Sequence, residues 1–174
     1  MNLWKLFGVE KPPPDVESES SSGTLRKIIA ELDNLEEDRA KYLAAFAYIL
    51  GRVAHADLSI SDEETREMER IVAGMGGLPE EQAILVVQLA KTQNKLFGST
   101  DNFVVTREFR NTATRAQKLS LLTCLFAVSS SDQSISTAED NEIRRISIEL
   151  GLDHIDFVAA RSAYKQHLEV LKNH

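Results

Sequence analysis

Apolar residues recur along this chain at helical spacing almost without interruption from residue 24 onward. In "TLRKIIAEL", Leu25, Ile28, Ile29 and Leu32 fall at i, i+3, i+4 and i+7, and Thr24 supplies a plausible N-cap. The next helix is expected from about Glu36 to Ala56, with Leu43, Phe46, Ala47, Leu50, Val53 and Ala54 on one stripe. A third starts after Ser61, carries Met68, Ile71, Val72 and Met75, and stops at "GMGG", where glycine accepts the left-handed C-terminal geometry. Pro79 then opens a fourth, with Ile84, Val87, Leu89 and Leu96 following. "GSTDNF" interrupts the pattern near residue 100, "VTREF" reads as a short helix or turn, and further helices are expected at about 113–130, 137–150 and 154–172. No stretch alternates well enough to make a strand. The fold class is all-α, a compact bundle of about seven helices.

The same pattern occurs twice. "AHADLSISDEE" at 54–64 returns as "SSSDQSISTAE" at 129–139, and Asp57 aligns with Asp132, 75 residues on. That offset also superimposes Phe46 on Leu121, Leu50 on Leu125, Val53 on Val128, Ile60 on Ile135, Glu67 on Glu142, Ile71 on Ile146 and Gly76 on Gly151. The chain is built from a duplicated helical hairpin, at about 36–78 and 111–153, whose two apolar stripes can bury each other. The helical domain spans 24–174, preceded by a short apolar segment at 1–8 and a Pro/Ser/Glu linker at 9–23 that has almost nothing to bury.

A long apolar helix, then Asp-x-x-Ile-Ser-x-x-Glu, then a second helix with a glycine at its end, all occurring twice over roughly residues 36–170, resembles the TerB tellurite-resistance family. A related domain occurs in some membrane-anchored DnaJ-type co-chaperones. The resemblance implies an all-helical, non-enzymatic protein associated with tellurite resistance and stress response. In one respect the chain departs from the family, which usually has Gly directly after each Asp, where this sequence has Leu58 and Gln133. Gly there serves a turn of positive φ, which other residues adopt at a cost.

Two readings of the doubled motif stand side by side. In the first, Ser61 with Glu64 and Ser136 with Glu139 are Ser-x-x-Glu capping boxes and nothing more, in a helical interaction or adaptor module. In the second, Asp57, Glu64, Asp132 and Glu139, with Glu67 and Glu142 as accessories, gather around a divalent cation, Ca²⁺ or Mg²⁺. Asp57 and Asp132 need compensation in either case, because negative charge at a helix C-terminus opposes the macrodipole. An Asx-turn to the amides of Ser59 and Ser134 would serve, as would a cation from Arg52 or Arg145. An EF-hand is excluded, since position 12 is Met68 in one copy and Ile143 in the other.

Composition narrows the partners. The net charge of −7 argues against nucleic acid. Cys124, the only cysteine, lies on an apolar helix face and is expected to be buried and inert. No Glu-x-x-His, His-x-x-x-His or glycine-rich phosphate loop is present, and His55, His154, His167 and His174 are scattered, so no enzyme activity is expected. With no spanning segment and no secretory signal, the expected location is cytoplasmic, with a peripheral place at the inner membrane. In "MNLWKLFG", Leu3, Trp4, Leu6 and Phe7 surround Lys5 beyond the linker, and two readings stand: the segment meets a membrane surface or a protein partner, or it is an ordinary frayed terminus. Oligomeric state is left open.

Overall fold

The structure, a computed structural model, describes residues 27–28, 30–54, 60–97 and 102–172, the side chains of 93–97 and 102–104 excepted. Seven helices carry the domain: α1 (Glu37–Val53), α2 (Asp62–Gly76), α3 (Glu80–Phe97), α4 (Asn102–Thr112), α5 (Arg115–Ser129), α6 (Thr137–Glu149) and α7 (His154–Ser162), with a last turn α8 at Glu169–Lys172. Ahead of α1, residues 27–28 and 30–33 are helical, and Ile28 and Leu32 are buried as their spacing predicts. Thr24, Leu25 and Ile29 lie outside the described residues.

Two helices contain stretches that are buried all round and therefore interior. In α1 every residue from Tyr42 to Leu50 is buried, and in α5 so is every residue from Cys124 to Ser129. These are the first helices of the two repeats. Each is covered by the second helix of the other copy: α2 packs on α5, and α6 packs on α1 as well as on α5. The two hairpins therefore exchange their apolar faces. Helices α3 and α4, which lie between the repeats in sequence, close the remaining side of α1, where Tyr42 and Phe109 stack with ring centroids 5.2 Å apart.

A polar tie crosses the same interface. The Arg52 guanidinium at the end of α1 meets Glu142 at 2.6 Å and Glu149 at 2.7 Å on α6, and donates to Thr106 Oγ1 on α4 at 3.0 Å. Its side chain is only 4% exposed. On α6, buried Asp140 accepts two bonds of 2.9 Å from Arg161 of α7, a bidentate pair that fixes the outer helix.

Several expectations change in detail. "VTREF" belongs to an 11-residue helix, because Val105, Thr106 and Phe109 are wholly buried and draw the whole segment onto the core. The final helix does not run from 154 to 172. It stops at Ser162, and buried Leu168 forms the sole β-bridge among the described residues, with Ile135. Ile135 N–H donates to the His167 carbonyl at 2.7 Å and Glu169 N–H to the Ile135 carbonyl at 3.0 Å, contacts that continuous helix would forbid. Ile84 and Met75, expected on apolar stripes, are exposed at their helix edges. The left-handed glycines that end the second helices are Gly77 and Gly151, so the repeat slips by one residue there. Gly76 sits inside α2, where a Cβ would come within 3.0 Å of Phe46.

Candidate functional site

The two Ser-x-x-Glu motifs fold alike. Glu64 N–H donates to Ser61 Oγ at 3.1 Å and Ser61 N–H to Glu64 Oε2 at 2.9 Å; the second copy repeats this with Ser136 and Glu139 at 3.1 and 2.8 Å. Both are complete capping boxes. The Ser61 amide and hydroxyl hold the Glu64 carboxyl below its ordinary pKa.

Before the second box, the chain leaves α5 through a 3-10 turn at Ser130–Asp132, and Gln133 then takes φ +67°, the one positive-φ non-glycine among the described residues. A positive-φ turn of the kind glycine usually serves is thus made with a glutamine in it. Asp132 Oδ1 accepts from Ser134 N–H at 3.0 Å, so an Asx-turn answers its charge. Neither Arg52 nor Arg145 does, since both pair with Glu142. The C-terminal segment straps this turn down: Lys172 Nζ donates to the Gln133 carbonyl at 3.0 Å and Ser134 Oγ to Glu169 Oε1 at 2.7 Å, beside the Ile135–Leu168 bridge.

The packing of α2 on α5 brings the two motifs to one cleft of about 400 Å³. Four acidic residues line it, Glu64 and Glu67 from α2, Asp132 from the turn and Glu139 from α6, with apolar Ala54, Ile60, Met68, Ile71 and Val128. Of the candidate ligands, Glu142 is not among the lining residues, because Arg52 and Arg145 take its carboxylate. Asp57 lies outside the described residues, as do His55, Leu3, Trp4, Leu6 and Phe7. Among the described residues no three His, Cys, Asp or Glu side chains are close enough together to hold a metal ion.

Ser129, at the end of α5, also lines the cleft and was not anticipated. It is 5% exposed, and its Oγ has no hydrogen-bond partner, whereas the hydroxyls of Ser130 and Ser131 turn back to the carbonyls of Ala127 and Val128. A buried hydroxyl without a partner is uncommon and costs stability.

A family model described as "Tellurite resistance protein TerB" matches residues 43–162. The chain belongs to the TerB family. The match takes in both capping boxes and all four cleft carboxylates, and the strap at 165–172 falls outside it. No curated protein and no solved structure matches the chain. Two further properties of this TerB chain bear on function. Among the described residues no helix is long and apolar enough to cross a membrane. Cys124 is fully buried and its thiol is pushed up to about 12 by desolvation, which removes thiolate chemistry at neutral pH.

Proposed function

We propose that this TerB protein is a non-enzymatic member of the tellurite-resistance family, acting in the cytoplasm, whose acidic cleft takes a hard divalent cation, Ca²⁺ or Mg²⁺. One observation carries this reading: the duplication delivers Glu64, Glu67, Asp132 and Glu139 to the same cleft. The donors are all oxygen, which suits a hard cation and not a thiolate-seeking metal. Glu64 and Glu139 each commit Oε2 to a cap amide, and Asp132 commits Oδ1 to the Ser134 amide, which leaves the second oxygen of each for a ligand. The set is incomplete as it stands, and the cation would draw the carboxylates together.

The second reading is a helical adaptor module in which these turns are caps alone. It is favoured by the capping boxes, which by themselves account for Glu64 and Glu139. Titration of Ca²⁺ and Mg²⁺ with backbone amide shifts as readout separates the two. Saturable shifts centred on residues 60–67 and 131–139, abolished in Asp57→Asn/Asp132→Asn, support the cation. Amides that stay still up to about 10 mM, beyond the weak end of natural Ca²⁺ sites, leave the caps alone.

A further inference from the structure

A cation explains the rim of the cleft but not its interior. Ala54, Ile60, Met68, Ile71 and Val128 give it an apolar lining that an ion does not use, and about 400 Å³ is the volume of a site for several side chains. The unpartnered Ser129 hydroxyl adds a buried polar group that a peptide backbone could satisfy. The cleft therefore fits a short extended segment that is apolar, carries positive charge and brings its own amides.

We propose that the occupant is this chain's own N-terminal segment, with Leu3, Trp4, Leu6 and Phe7 against the apolar lining and Lys5 at the acidic rim. The proposal does not need a cation: Lys5 supplies positive charge to the same carboxylates, and a bound divalent cation would compete with it. Charge complementarity is specific: residues 1–8 contain one lysine and no acid, in a chain of net charge −7. Reach is not limiting, because the 15-residue linker from 9 to 23 can extend about 50 Å, against about 40 Å across a domain of this size. Tethering also relaxes the affinity required. At an effective concentration of about 1 mM, an intrinsic Kd of about 0.3 mM keeps the segment docked roughly three-quarters of the time.

Trp4 is the chain's only tryptophan, so its fluorescence reports on this segment alone. In the 174-residue chain at micromolar concentration, Trp4 emission should be blue-shifted, and acrylamide quenching about fourfold weaker than in a free peptide of residues 1–10. Met68→Glu, at a half-buried lining position, and Lys5→Glu, which lies outside the helical domain and cannot unfold it, should each move emission to the red and restore quenching. The proposal is overturned if Trp4 in the parent is as quenchable as the free peptide. It is equally overturned if shielding survives both variants, disappears on dilution as for a second copy, or arises only when anionic vesicles are added.

Discussion

Arg52→Met tests how the two repeats are held together. The substitution keeps most of the aliphatic bulk and removes the one cation that α1 places against α6. Glu142 and Glu149 are 21% and 19% exposed, so both carboxylates would be left in a partly desolvated interface, Glu142 with exposed Arg145 and Glu149 with no second cation among the described ion pairs. Removing one partner of a buried pair costs about 3–5 kcal/mol, and the residual water at both glutamates argues for the lower end, about 3 kcal/mol. For a domain of this size that corresponds to a Tm lowered by about 6–12 °C. Urea unfolding monitored by far-UV circular dichroism measures the loss directly. Arg52→Met/Glu149→Gln should recover at least half of it, since the stranded charge and not the missing contact dominates. A single variant within about 1 kcal/mol of the parent, or a double variant no better than the single, would refute the assignment.

Gln133→Gly should stabilise the protein by about 0.5 kcal/mol, the relief of a left-handed residue offset by glycine's greater unfolded-state entropy, and Gln133→Val should destabilise it; the same denaturation assay reads both signs. Cys124 should resist an aromatic disulfide reagent at pH 8 in the folded protein and react at once in denaturant, since a thiol at about 12 carries almost no thiolate there. Glu64 gives a pH dependence. Its folded pKa lies below the ordinary 4.5, so its contribution is fully present above 4.5 and is lost as pH falls through the depressed value. Stability of Glu64→Gln relative to the parent should therefore be lower at pH 7 than in acid below that depressed value.

The architecture was legible because two physical signals agreed: helical periodicity fixed the elements, and the 75-residue offset tied them in pairs. The capping boxes were legible for the same reason, as local three-residue relations with one geometry. Arg52 was harder. Its counterpart in the second repeat is Ala127, so the duplication carries no trace of the tie, and its partners stand 90 and 97 residues away. The break in the last helix was hidden because Phe157, Leu168 and their neighbours keep a helical spacing, and the backbone pairing to Ile135 that ends the helix leaves no side-chain pattern. For Ser129 the run "SSSD" announced a helix end, but only the packing of α2 on α5 decides which of three hydroxyls loses its partner.

The strap from residues 165–172 ties one half of the cleft to a distant part of the chain. The family match ends at 162, so the turn around Gln133 is secured by a stretch that lies outside it. A mutation of Lys172 or Leu168 acts on the turn beside the cleft, with Lys172 standing 39 positions from Gln133, through a lysine–carbonyl bond and a single bridge. Residues 165–172 are therefore a lever on the acidic turn, and the gentler place to attach a handle is an exposed loop elsewhere.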